Sequence, residues 1–153
     1  MKFFSTVVCI LGMLILTQRA IAAEPTSLDN FVKSFSYETR KDMKCSGKEL
    51  LALLIKNEAV LVDIRFPEEQ QAWGAGFALK IPLNELPNRL NELPKDKIIV
   101  TACPHIDRSN IAMVYLRTQG YNSRYLVDGL VGLAELLRGD SARDFMENFN
   151  KKK

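Results

Sequence analysis

The sequence predicts an α/β sandwich, a mainly parallel sheet with helices packed against its faces. Three observations carry that expectation. Residues 59–64 and 97–102 are nearly continuous apolar runs rich in β-branched side chains, as in strands buried on both faces. Segments with helical spacing alternate with these runs, which points to a parallel sheet. Glycines mark the junctions, with Gly120 stopping one helix and Asp128-Gly129 turning into the next.

The elements follow in order along the 153 residues. Lys2 gives a basic start, residues 3–16 are apolar, and Ala20-Ile21-Ala22 supplies a small-x-small cleavage pattern before Glu24-Pro25. Residues 1–23 therefore read as a secretory signal peptide, and the mature protein is expected in the periplasm or outside the cell. The apolar run is shorter than the roughly 20 residues that a spanning helix needs. Polar Thr17, Gln18 and Arg19 follow it, so no stable membrane anchor is expected after cleavage. Cys9 lies inside the run, far from the cleavage site of a lipoprotein.

Removing the leader leaves about 130 residues, enough for one domain with a proper core. Residues 24–42 read as a short helix from Ser27 and a linker, and residues 43–150 as the domain. Ser46 and Glu49 form a capping-box pattern ahead of Leu50, Leu51, Leu53 and Leu54. Pro67 suits the first turn of a short helix, whose Glu68 and Glu69 read as a solvated acidic turn. Residues 78–81 read as a brief strand and 84–93 as a helix with Pro87 in its first turn. The strand at 97–102 leads to a helix over 109–119. A strand at 124–127, an apolar helix ending near Gly139 and an amphipathic helix from about Ser141 complete the chain.

Charge excludes one class of partner. The chain has 21 basic and 18 acidic residues, and the leader removes Lys2 and Arg19, leaving a mature net charge near +1. Lys151-Lys152-Lys153 more than accounts for it, so the body lacks the dense basic face that nucleic acid requires.

Chemistry concentrates at Cys103. It follows a strand directly and precedes a helix, the place where open α/β sheets put their ligands. The loop Cys103-Pro104-His105-Ile106-Asp107-Arg108-Ser109 is expected to turn backbone N–H groups toward the sulfur, with the positive end of the next helix behind them. Both favour the nucleophilic thiolate. Arg108 is placed to hold an anionic substrate. Pro104 has no N–H to contribute, and Asp107 sets a negative charge beside the cysteine. His105 is the only histidine in the chain, so no multi-histidine metal site can be built. Its roles stay open between thiolate or substrate contact and an exposed loop position.

These residues resemble the rhodanese family, whose members move sulfane sulfur through a cysteine persulfide. Cys103-x-x-x-x-Arg108-Ser109 is similar to the family's six-residue active-site loop. Val60-Leu61-Val62-Asp63-Ile64-Arg65, Pro67-Glu68-Glu69 and Ile81-Pro82-Leu83-Asn84-Glu85-Leu86 resemble its first motif in order and spacing. Gly120-Tyr121 and Leu126-Val127-Asp128-Gly129-Leu130 resemble the segment after the active-site helix. The likeness covers residues 43–138 or so. It implies a three-layer sandwich on a five-stranded sheet, with Cys103 as nucleophile and no metal or organic cofactor. It also implies small sulfur-containing anions or thiols as substrates, and a thiol, cyanide or a protein as sulfur acceptor. Asp63 and Arg65 match family residues that organise loops at a strand end. The family's strand order implies that Cys45 and Cys103 are too far apart for a disulfide. The loop differs from the family pattern at Ile106, where glycine is usual, and residues 74–77 replace a His-Ile-Pro-Gly stretch.

Other readings stay open. Phosphatases and arsenate reductases use a related Cys-loop-Arg cradle with one more residue between Cys and Arg. Periplasmic thiol oxidants have a second cysteine where Ile106 stands. A non-catalytic binding module would keep the fold without the chemistry. Trp73 and Phe77 read equally as walls of the site or as core.

Overall fold

Alternation along two central strands sorts the core into two layers and sets where the cysteine stands. The computed structural model describes residues 23–151, so the expected leader and Cys9 lie outside the described residues. Five strands are present, β1 (Lys44–Cys45), β2 (Ala59–Asp63), β3 (Leu79–Lys80), β4 (Ile98–Ala102) and β5 (Ser123–Leu126). All pair in parallel, in the order β1-β5-β4-β2-β3. The helices are α1 (Leu28–Lys33), α2 (Tyr37–Asp42), α3 (Gly47–Ile55), α4 (Pro67–Ala72), α5 (Asp107–Thr118), α6 (Gly129–Leu136) and α7 (Asp140–Asn150).

Side chains alternate across a strand with period two. Leu61, Val100, Ala102 and Leu126 accordingly meet Leu50 and Leu54 of α3, Leu130 and Leu133 of α6 and Phe145 of α7. Val62, Ile99 and Cys103 face the other way, toward Ala112 and Leu116 of α5 and toward Ile81 and Leu86. Cys103, two residues beyond Thr101, thus stands on the α5 side of the sheet. Each fully buried leucine or isoleucine in these layers contributes roughly 1.5–3 kcal/mol of transfer free energy. β2 and β4 run in register, Asp63 opposite Ala102, so the loops leaving both strands emerge at the same sheet edge.

The structure departs from the expected elements in four places. Residues 84–93 form two 3₁₀ turns, Leu86–Asn88 and Leu90–Glu92, instead of one helix. Pro87 gives no N–H, and the turns close through i to i+3 bonds such as Asn88 N to Glu85 O and Leu93 N to Leu90 O. The expected linker before Met43 contains a second helix, α2, capped by the Ser36 hydroxyl, which accepts from Thr39 N at 3.2 Å. α5 starts at Asp107, two residues early. Finally, half of the capping box forms at α3. Ser46 Oγ accepts from Glu49 N at 3.2 Å, but the Glu49 carboxylate turns to Arg124. Cys45 and Cys103 are both buried and unbridged, and β5 separates their strands. Among the described residues no helix is long and apolar enough to cross a membrane.

Candidate active site

The loop after β4 is held from below by α6 and from the side by α4. Leu130 N donates to Cys103 O at 2.8 Å and Val131 N to Pro104 O at 3.3 Å. These bonds need the chain to turn sharply at Gly129, whose φ is +61°. A Cβ there would meet the carbonyl oxygens of Pro104 and His105, the latter at 2.6 Å, so only glycine fits without displacing the loop. On the α5 side, Thr101 Oγ1 donates to Ser109 O at 2.9 Å and Ser109 Oγ to Ile106 O at 2.7 Å. The loop's shape is therefore fixed by backbone and hydroxyl contacts around the cysteine.

Cys103 itself is fully buried, 0% exposed. Its Sγ donates to Asp107 Oδ1 at 3.5 Å. The expected cradle of loop amides around the sulfur is modified by that carboxylate. The Arg108 backbone N–H and then the Cys103 thiol hold the Asp107 carboxyl below the usual carboxylate range. Asp107 is the first residue of α5, at the helix's positive end.

Arg108 meets a carboxylate from α4. Its Nη1 and Nη2 donate to the two Glu69 carboxylate oxygens at 2.6 and 2.9 Å. Glu69 is correspondingly no solvated first-turn acid. The Arg108 guanidinium, followed by the Phe66 N–H that it accepts at 3.2 Å, pulls its carboxyl down to about 2. Glu68 remains exposed. The Phe66 ring, 52% exposed, lies 5.7 Å from the Arg108 guanidinium carbon.

Asp63 and Arg65 form a buried ion pair at the end of β2. Each is 1% exposed. Arg65 Nε donates to Asp63 Oδ1 at 2.9 Å and Nη2 to Asp63 Oδ2 at 2.7 Å, while Nη2 also reaches Trp73 O at 2.6 Å. The guanidinium carbon lies 4.3 Å from the centre of the Trp73 ring. Gln70, which no sequence motif marks, donates to the carbonyls of Asp63 and Arg65, both at 2.9 Å. This buried network fixes α4 and so places Glu69 opposite Arg108. Trp73 belongs to it. Phe77 does not line the site, because it packs against Phe145 and Phe149 in the other core layer. His105 and Ile106 are exposed on the loop.

A parallel α/β sandwich with a cysteine at the carboxyl end of its central strand, in a short loop leading into a helix, defines a class of cysteine-loop proteins. The rhodanese-like domain model matches residues 46–135, more than half of the chain. The chain belongs to the rhodanese-like domain family. It is 41% identical over 64 residues to a sulfurtransferase of Allochromatium vinosum, a match covering 42% of this chain and 60% of that protein's length. It is 32% identical over 71 residues to a thiosulfate sulfurtransferase of Pseudomonas syringae pv. syringae, covering 46% of this chain and 67% of that one. A human single-domain sulfurtransferase superposes with a TM-score of 0.56 and 28% identity, over 61% of this chain and 96% of that one.

Proposed function

We propose that the protein is a sulfurtransferase that moves sulfane sulfur through a persulfide on Cys103 to a thiol or cyanide. The observation that carries this reading is the placement of Cys103, at the carboxyl end of β4 in a loop fixed by the Gly129 turn and the start of α5. The names of the relatives support it. In the first half-reaction the Cys103 sulfur bonds to the outer sulfur of the donor. The donor's S–S bond breaks, and its electron pair departs with the leaving group, which is sulfite when the donor is thiosulfate. An acceptor thiolate or cyanide then bonds to the outer sulfur and returns the pair to Cys103. Splitting the transfer into two displacements is what a covalent intermediate achieves.

Intact-mass measurement tests this. Incubation with thiosulfate or an organic persulfide should add one sulfur atom, cyanide should remove it, and Cys103→Ser should take up none. Sulfur transfer that survives Cys103→Ser refutes the mechanism. The complete burial of Cys103 favours a second reading, a non-catalytic binding module. A folded protein that gains no sulfur from either donor class would establish that one. We also propose that the protein is exported and works in the periplasm or outside the cell. N-terminal sequencing of the mature protein should start near residues 22–24, and an intact Met1 on membrane-bound protein would refute it.

A further inference from the structure

We propose that Asp107 and Glu69 select the sulfur donor by charge, so that the site takes sulfur from organic persulfides, R–S–SH, whose R group is uncharged and disfavours donors that carry more negative charge, such as thiosulfate or a persulfide with an anionic R group. This rests on the sulfurtransferase reading above. The cradle already contains an anion tethered to its own loop. The Asp107 carboxylate, on the first residue of α5, accepts from Cys103 Sγ at 3.5 Å. An anionic donor must displace it or lie beside it. Pro104 offers no N–H to compensate. The permanent cation at the site, Arg108, gives both terminal nitrogens to Glu69. Glu68, exposed on the same short helix as Glu69, adds a further negative charge. Beside these stand two exposed apolar side chains, Ile106 on the loop and Phe66 against Arg108. The mouth is thus acidic and partly apolar, and the Arg108 guanidinium is paired with a carboxylate.

The chemistry of such a donor balances without any further reactant. The Cys103 sulfur bonds to the outer sulfur of R–S–SH, the S–S bond breaks, and the electron pair leaves on R–S. The proton given up by Cys103 ends on that leaving sulfur, so the products are R–SH and the Cys103 persulfide. Uncharged R meets the apolar rim and has no charge to set against Asp107 and Glu69.

The test measures the rate at which Cys103 of the purified protein gains one sulfur. The donors are the persulfide of 2-mercaptoethanol, which is neutral in R, the persulfide of mercaptoacetate, which is anionic in R, and thiosulfate. The persulfide with neutral R should react faster than either of the more negatively charged donors by about fivefold or more, the scale of one exposed like-charge contact. Added salt should narrow that ratio through screening. Asp107→Asn and, independently, Glu69→Gln should each narrow it as well, through better apparent affinity for the anionic donors. A smaller ratio in the native protein, or one that survives both substitutions, overturns the selection and leaves the sulfurtransferase reading standing. Failure of Cys103 to gain sulfur from all three donors overturns that reading itself.

Discussion

Gly129→Ala should damage stability and the site together, and the structure separates the two costs. The residue has φ +61°, a conformation that costs an alanine about 1–3 kcal/mol. The added methyl would also press on the Pro104 and His105 carbonyls, with His105 O at 2.6 Å and His105 Cα at 2.8 Å. Those are backbone atoms, so relief requires the loop to move, and overpacking of this kind costs a further 1–3 kcal/mol or so. The sum is about 2–6 kcal/mol, a large part of the roughly 5–15 kcal/mol that holds a domain together. At about 4 °C per kcal/mol for a domain of this size, the midpoint of thermal unfolding should fall by about 8 °C or more. Gly139→Ala is the control for backbone strain, because φ is +54° there and a Cβ meets nothing within 4 Å. Both variants should lower the urea midpoint at unchanged m-value. Only Gly129→Ala should also slow sulfur uptake at Cys103, since only it displaces the carbonyls beside the cysteine. A Gly129→Ala protein with a stability loss below about 1 kcal/mol and native rates of sulfur uptake would refute the claim that this turn shapes the site.

Three further outcomes are expected. Glu69 titrates near 2 in the folded protein against an ordinary value of 4.5, so its contribution is complete above about 4.5 and is lost as the pH falls toward 2. The pair is partly exposed, which limits the contribution to about 1 kcal/mol; Glu69→Gln should lack this acid-dependent loss in urea titrations across that window. Burial pushes the Cys45 thiol up to about 12, so Cys45 of the native protein should resist iodoacetamide at pH 8 and react after denaturation, and rapid native labelling would contradict its place in the core. Asp63→Asn leaves the buried Arg65 guanidinium without its counter-charge and should destabilise by about 3–5 kcal/mol in chemical denaturation. A loss under about 1 kcal/mol would show that Arg65 reaches solvent instead.

The sequence by itself determined the central strands, the helices that pack on them and the position of the cysteine, because those follow from local rules, while α2 was missed. Unbroken β-branched runs made β2 and β4 legible, and the Gly-marked turns bounded α5 and α6. Period-two alternation places Cys103 on one face of the sheet once β4 is recognised. Where local signals conflicted, the reading failed. Pro87 fits a helix start as well as a 3₁₀ turn, and the structure chose the latter. The electrostatics of the site were decided only by tertiary structure. Glu69 and Arg108 are 39 residues apart, and they meet because β2 and β4 are neighbours in register and the Asp63–Arg65–Gln70 network holds α4 over the loop. Whether a charge is free or paired depends on what stands within a few ångströms of it, and a sequence records separation along the chain, not through space. The pairing of Arg108 with Glu69 is therefore invisible in the sequence, while Asp107, close to Cys103 in sequence, is also its neighbour in space.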